Sequence, residues 1–216
     1  MVGAPGAGKG TQAALLSERL GMAHVASGDL FRAHIKRGTA LGKKVKGYLE
    51  SGALVPDALT VQMITDRLAE ADAADGAILD GFPRTRPQAE ALDAMLAKMN
   101  GQVSAALYID VPHEVLLLRL SGRWICTASA DHVYQALVRP PRVEGACDID
   151  GAPLYQRDDD KPATIEARLE QQLPPMYEVV DYYTDHGVLS TVNGEGTVDE
   201  VTDALLRAIA QPARQS

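Results

Sequence analysis

The chain has 216 residues, 46% of them hydrophobic, and this length and composition suit one globular domain with its own core. A formal net charge of -8 argues against a general nucleic-acid or membrane surface, and no apolar run approaches the roughly 20 residues that span a bilayer. No secretory signal is visible, and the two cysteines, Cys126 and Cys147, fit a reducing cytoplasm better than a disulfide scaffold.

The first predicted element is a phosphate-binding loop at residues 3–11, which read GAPGAGKGT. The Gly-x-x-x-x-Gly-Lys spacing lets backbone N–H groups turn toward phosphate oxygens, and Lys9 supplies a cation. A helix predicted over 9–20 adds the positive end of its dipole, and Thr11 offers a hydroxyl to Mg²⁺. The alternative is a glycine-rich turn between a strand and a helix, and the motif spacing makes it the weaker interpretation.

An alternation of β-prone and helical segments follows, which is typical of a parallel sheet wrapped by helices. The predicted strands are 23–26, 77–80, 103–111 and 188–192. The predicted helices are 29–37, 41–51, 57–71, 86–98, 113–121 and 198–210, with a further helix beginning at Pro162. Pro174 and Pro175 are expected to kink or break that last helix.

Residues 123–160 do not continue the alternation. Short β-prone pieces at 124–125 and 132–134 stand among prolines and glycines. This pattern predicts a small β insertion, and long insertions in compact domains often serve as lids.

The phosphate-binding loop, with Gly10 where most such loops carry Ser or Thr, resembles that of the nucleoside monophosphate kinases, adenylate kinases above all. The resemblance implies an α/β fold with a doubly wound parallel sheet, helices on both faces and a small β lid insertion. It also implies one kinase domain over 1–216, in which 27–55 covers AMP and 122–160 covers ATP. The implied reaction is ATP + AMP = 2 ADP with Mg²⁺. The implied ATP contacts begin with Gly6, Ala7, Gly8, Lys9, Gly10 and Thr11.

The next strongest likeness is the segment 80–84, which reads Asp-Gly-Phe-Pro-Arg. Asp80 ends an apolar strand, where ligands bind in open α/β sheets, although an ordinary turn after a strand reads similarly. By the resemblance, Asp80 holds Mg²⁺ through water, Arg84 binds the AMP phosphate and Gln88 contacts adenine. The other implied AMP contacts are Ser27, Arg32, Ala53, Leu54, Val55, Gly81, Phe82, Pro83, Arg157 and Arg168.

Four further arginines fit the resemblance, namely Arg119, Arg123, Arg157 and Arg168. A single arginine is usually a solvated surface charge. Phosphoryl transfer, however, is catalysed mainly by charge placed around the transferred group, so a set of guanidinium groups is expected. The resemblance assigns Arg119 and Arg123 to ATP and the other two to AMP and the transferring phosphates. Lys9, Asp80 and Arg84 complete the implied catalytic set, and Val133, Tyr134 and Gly196 complete the ATP contacts.

Some lids of this family bind structural zinc through two pairs of ligands, and the corresponding pairs here are Cys126 with Ser129 and Cys147 with Asp150. Cys126, Cys147 and Asp150 are therefore the zinc candidates, but a neutral hydroxyl is a poor zinc ligand. His132 is either a substitute ligand or an ordinary lid side chain. We expect zinc to be weakly held or absent, and a hydrogen-bonded polar cluster is favoured instead.

The family has a full central strand where only Met1 and Val2 precede the loop, so a chain extended upstream is expected to be more stable. Two alternative functions stay open, a kinase for UMP or CMP and a nucleotide sensor without catalysis. Ser27, Gln88 and the long lid favour AMP, and the presence of every expected catalytic group argues against a sensor. The predicted partners are ATP, AMP and ADP, without nucleic acid or membrane, for a cytoplasmic monomer.

Overall fold

The computed structural model describes residues 1–130, 132–136 and 139–210, apart from the side chain of Ala163. Its helices are α1 (Lys9–Leu20), α2 (Ser27–Lys36), α3 (Ala40–Ser51), α4 (Asp57–Leu68), α5 (Arg86–Lys98), α6 (His113–Ser121), α7 (Pro162–Asp185) and α8 (Val198–Ala210). Its strands are β1 (Ala23–Ala26), β2 (Ala77–Asp80), β3 (Ala106–Asp110), β4 (Arg123–Cys126), β5 (Val133–Gln135), β6 (Leu154–Tyr155) and β7 (Leu189–Asn193). The helices and strands predicted from the sequence are present, with ends shifted by at most three residues. None of the described helices is long and apolar enough to cross a membrane.

Four strands form two parallel pairs, β1 with β2 and β3 with β7. Met1 and Val2 lie between the pairs. The Met1 amino group donates to the Leu79 carbonyl oxygen at 2.8 Å, and the Val2 N–H donates to that of Leu107 at 2.7 Å. The order is therefore β1, β2, the N-terminal residues, β3 and β7. Because the chain winds outward from its first residues in both directions, the predicted α/β fold with a doubly wound parallel sheet is confirmed.

The phosphate-binding loop lies at the point where the strand order reverses. Residues 3–8 leave the central position of the sheet and lead into α1, and β2 ends at Asp80 beside them. In open α/β sheets, ligands bind in the crevice at such a point, outside the carboxyl ends of the strands. The topology thus brings the loop and Asp80 to one edge.

Two apolar clusters support this edge from either side. One joins β3 and β7 to α6, α7 and α8, and Leu120, Leu169 and Leu205 are fully buried in it. The other joins β1 and β2 to α2, α3, α4 and α5, with Val25 and Ile64 at its centre. The packing of both clusters fixes the sheet whose ends form the site.

Helix α7 continues through Pro174 and Pro175, so of the expected kink or break, the break does not occur. Each proline removes one backbone donor from the helix. Leu169 and Val179, on either side of the prolines, are fully buried in the core. Burial of the flanking turns holds the helix together across the lost hydrogen bonds.

Residues 122–160 form the predicted small β insertion. Its strands make an antiparallel sheet in the order β5, β4, β6. Tyr134, Leu154 and both cysteines are buried in a separate small cluster inside it. We call this segment the lid.

Candidate active site

Lys9 opens α1 directly after the glycine-rich loop. Gly8 caps the helix with a φ of 93°, a conformation that favours glycine. The Lys9 Nζ donates to the carbonyl oxygens of Gly3 and Ala4, each at 2.8 Å. Burial lowers the pKa of Lys9 to about 7, because the attraction of Asp80 does not offset the lost solvation and the nearby arginines. The other predicted phosphate contacts, Gly6, Ala7, Gly10 and Thr11, lie on this loop or in the first turn of α1.

The Asp80 carboxylate lies against that first turn. A Cβ at Gly10 would come within 3.3 Å of Asp80 Oδ2, so a side chain there would require the carboxylate to shift by a few tenths of an ångström. His24, on the neighbouring strand, places its Nε2 at 3.7 Å from the same oxygen. Burial raises the pKa of Asp80, but His24 and Lys9 outweigh burial and lower it overall. Asp80 is thus a largely desolvated anion, with 15% of its side chain exposed, beside the loop cation.

A cavity next to Asp80, walled by α2, the end of α3, the start of α5 and α7, spans about 500 Å³ of space that is partly open solvent. Apolar side chains such as Phe31 and Leu49 line it together with buried Gln88 and three guanidinium groups. The structure brings nine of the predicted AMP residues to this cavity: Ser27, Arg32, Ala53, Leu54, Val55, Gly81, Arg84, Gln88 and Arg168.

A second cavity, of about 390 Å³, lies at the phosphate-binding loop and is lined by Lys9 and Pro83. Its wall shares Gly81, Arg84, Arg168 and Gln172 with the first cavity. Phe82 is 1% exposed and packs in the apolar cluster around Ile64 rather than in either cavity. The cavity at the phosphate-binding loop and the larger cavity are therefore adjacent, and Arg84 and Arg168 line both of them.

Arg84 is held by backbone and amide oxygens. Its Nε donates to the Gly81 carbonyl oxygen at 2.7 Å and its Nη1 to Gln172 Oε1 at 3.0 Å. Gln172 in turn donates to the Gly52 carbonyl oxygen at 2.6 Å. A Cβ at Gly81 would come within 2.8 Å of the Arg84 guanidinium, so this position also requires glycine. Gln172, which fixes Arg84, carries no motif and was missed in the sequence.

Aspartates pair with Arg168 of the cavity and with Arg123 of the β insertion. Arg168 Nη1 lies 2.8 Å from Asp159 Oδ2, and Arg123 forms a bidentate pair with Asp160, which is 1% exposed. Burial lowers the pKa of Arg168 to about 10, so it remains a cation at neutral pH. The sequence analysis missed both aspartates, although their signal was the acidic run that follows Arg157.

Arg157 and Arg32 share a third aspartate, Asp29. Arg157 Nη2 lies 3.7 Å from Asp29 Oδ1, and the Arg32 guanidinium donates to the same oxygen. Burial and the charge of Arg32 lower the pKa of Arg157 to about 10. Five guanidinium groups, those of Arg32, Arg84, Arg123, Arg157 and Arg168, are thus gathered around one crevice with fewer carboxylates than cations.

Such a site resembles those that bind two nucleotides, and comparison with known proteins agrees. The family model described as adenylate kinase matches residues 1–188. The chain belongs to the adenylate kinase family. It is 46% identical to an adenylate kinase of Streptomyces griseus over 209 residues, 97% of this chain and 95% of that protein. It is also similar to the adenylate kinases of Ruminiclostridium cellulolyticum (46% over 97% of each chain) and Methanothrix thermoacetophila (42% over 98% and 97%).

On the opposite side of the loop, Arg119 of this adenylate kinase family member extends from α6. Its Nη2 donates to the Gly194 carbonyl oxygen at 2.8 Å, and burial lowers its pKa. This contact joins Arg119 to the loop that contains Gly196. Val133 and Tyr134 lie on β5, and the Tyr134 ring is buried inside the lid, with its hydroxyl 3.4 Å from Cys147 Sγ. The structure therefore places Arg119 and Gly196 together and turns the Tyr134 side chain into the lid.

Four lid side chains converge on one point: Cys126, His132, Cys147 and Asp150. One ligand atom of each lies within 4.8 Å of all the others. His132 Nδ1 is 3.0 Å from Asp150 Oδ2 and 3.4 Å from Cys147 Sγ. From the sequence, His132 is either a substitute ligand or an ordinary lid side chain, because nothing in its spacing places it beside both cysteines.

Proposed function

We propose that the chain binds ATP at the phosphate-binding loop and AMP in the larger cavity, and catalyses ATP + AMP = 2 ADP. The observation that carries this proposal is the pair of cavities that meet at Arg84 and Arg168. A phosphoryl group that passes between two nucleotides at this junction would have Lys9 on one side and the arginines on the other. The names of the similar proteins support the same reaction.

The arginines would supply the charge that stabilises the transferring phosphoryl group. Their pKa values of about 10, for Arg157 and Arg168, keep them cationic at neutral pH. Asp159 and Asp160 pair with Arg168, and Asp29 pairs with Arg157, before nucleotide binds. Phosphate oxygens, which carry more charge than a carboxylate, would then take over the guanidinium donors.

Magnesium would be held at Asp80. The residues fit it, since Asp80 is a largely desolvated carboxylate with a lowered pKa, and the Thr11 hydroxyl lies on the adjoining helix. Oxygen ligands of this kind suit Mg²⁺, which keeps several waters and binds through one or two carboxylates and phosphates. The ion would neutralise charge on the ATP phosphates, while Lys9 and the arginines of the chain orient them.

We also propose that residues 27–55 and 122–160 are the two segments of the 1–216 kinase domain that close over AMP and ATP. The first segment contributes Ser27, Arg32, Leu54 and Val55 to the larger cavity. The second contributes Arg123 and Arg157 to the arginine crevice. Closure would exclude water, which otherwise competes as phosphoryl acceptor.

The lid geometry favours zinc over the polar cluster expected from the sequence. Two sulfur atoms, an imidazole and a carboxylate form a set that suits tetrahedral Zn²⁺. The Ala128 N–H donates to Cys126 Sγ at 3.3 Å, the kind of outer contact that orients a metal ligand. We propose that Cys126, His132, Cys147 and Asp150 hold a structural zinc ion, with His132 in place of a ligand at Ser129.

An ADP-formation assay tests the main proposal. Purified protein with Mg-ATP and AMP should form two ADP for each AMP consumed, and omission of either AMP or Mg²⁺ should remove the activity. ADP formation from ATP alone at the same rate would mean that the chain is an ATPase and that the larger cavity is not an acceptor site.

A further inference from the structure

Gln88 is the one buried side-chain amide among the described residues that lines only the larger cavity, and its orientation is fixed from two sides. Its backbone N–H donates to Thr85 Oγ1 at 3.3 Å, so the first turn of α5 places the side chain. The Arg84 N–H donates to Gln88 Oε1 at 2.8 Å, and Gln88 Nε2 donates to Asp57 Oδ1 at 2.7 Å.

The two partners of Gln88 allow only one orientation of the amide. A backbone N–H can only donate, and an ionised carboxylate can only accept. If the amide were turned over, its NH₂ group would face the Arg84 N–H and its oxygen would face the Asp57 carboxylate. Both contacts would be repulsive, and Gln88, at 1% exposure, has no water to replace them.

The locked amide keeps one N–H and one oxygen lone pair for a ligand in the cavity. This pair matches a base in which a ring nitrogen accepts a hydrogen bond and the neighbouring exocyclic amino group donates one. Adenine presents that pattern at N1 and N6, whereas hypoxanthine and guanine present its inverse, an N1–H beside O6. Cytosine presents the same pattern as adenine, at N3 and N4.

We propose that Asp57 is a specificity-determining residue, which selects 6-aminopurine over 6-oxopurine acceptors by fixing the polarity of the Gln88 amide. This inference rests on the proposed function, in which the larger cavity takes the acceptor nucleotide. Asp57 acts through Gln88 and is a positioning residue. A site built around fixed hydrogen-bond polarity rejects a base with the inverse pattern because buried groups are left unpaired.

Asp57→Asn tests this role, because an asparagine amide both donates and accepts, so that only the Arg84 N–H still opposes the inverted orientation of Gln88. The variant should lower the ratio of kcat/KM for AMP to kcat/KM for IMP by at least about tenfold, as expected for the loss of one charged hydrogen bond. The ratio for AMP to CMP should stay unchanged, since both bases present the same pattern. Asp57→Ser, whose hydroxyl also donates and accepts, should act in the same direction and serves if the first variant does not fold.

Asp66→Asn is a matched control on the same helix, where Gln62 Nε2 donates to Asp66 Oδ1 at 2.8 Å on the exposed face. It should leave both ratios unchanged. An equal loss of activity with AMP, IMP and CMP in the Asp57 variants would overturn the inference, as would an unchanged ratio of AMP to IMP. A wild-type chain that forms no ADP with AMP would instead refute the proposed function.

Discussion

The Lys9 ammonium donates a hydrogen bond of 2.8 Å to the carbonyl oxygen of Gly3, in the loop that precedes its own helix. In the free protein, the ammonium group is therefore held by backbone carbonyl oxygens of the loop that we propose to bind phosphate. Burial makes its charged form unfavourable, as the lowered pKa of about 7 shows. The residue that we propose to bind phosphate is thus a source of instability in the free protein.

We predict that Lys9→Met lowers kcat by at least about 10² and raises the melting temperature of the free protein. The pKa of Lys9 falls from 10.5 to about 7 on folding, so between these values the unfolded chain binds more protons. The contribution of Lys9 to the free energy of unfolding of the wild-type protein therefore increases as the pH rises from about 7 to 10.5. The gain in Tm should be largest below about pH 7 and shrink toward pH 10. Lys98→Met, at an exposed position, is the control, and a gain in Tm that does not vary with pH would contradict the prediction.

Arg84→Ala and Arg157→Ala should each lower kcat by at least about 10², because Arg84 lies at the junction of the cavities and Arg157 shares Asp29 with Arg32 of the larger cavity. The Tm should change by no more than about 2–4 °C, since removal of a buried charge offsets the lost hydrogen bonds. Arg86→Ala, which breaks an exposed pair with Glu90, should leave kcat unchanged. A large fall in Tm with intact kcat would show that these arginines are structural.

Gly10→Ala should raise the Mg²⁺ concentration for half-maximal activity by about tenfold, because the added Cβ displaces the Asp80 carboxylate. The substitution should not destabilise helix α1 itself, since alanine is a better helix former than glycine. Gly47→Ala on α3 is the control, because no atom lies within 4 Å of its added Cβ. It should stabilise the protein by about 0.5–1 kcal/mol with an unchanged Mg²⁺ requirement. Equal requirements in both variants would mean that Asp80 does not govern the metal.

Elemental analysis of protein purified without chelator should find about one zinc per chain. His132→Ala and Cys126→Ser should lose the metal and lower the Tm, whereas Ser129→Ala should retain it. These variants separate His132 from Ser129 as the fourth ligand. If the wild-type protein contains no zinc, the hydrogen-bonded polar cluster expected from the sequence is the better interpretation.

The sequence by itself determined the family, the order of helices and strands and the identity of the phosphate-binding loop, because local spacing carries these signals. The motifs at 3–11 and 80–84 can be recognised in isolation, since their residues are neighbours in the chain. The roles assigned to them stay predictions, and Phe82 packs in the core rather than in either cavity. The expectations of a monomer and of a cytoplasmic location stay predictions of the sequence.

Only the tertiary structure decided which distant side chains support those motifs. Asp57 lies 31 residues from Gln88, and Gln172 lies 88 residues from Arg84, so no local pattern joins them. The same holds for His132, which packing of the lid sheet brings beside Cys147 and Asp150. It holds too for α7, where burial of the flanking turns overrides two prolines. In each case the deciding term is a contact or a burial that exists only once the chain has folded.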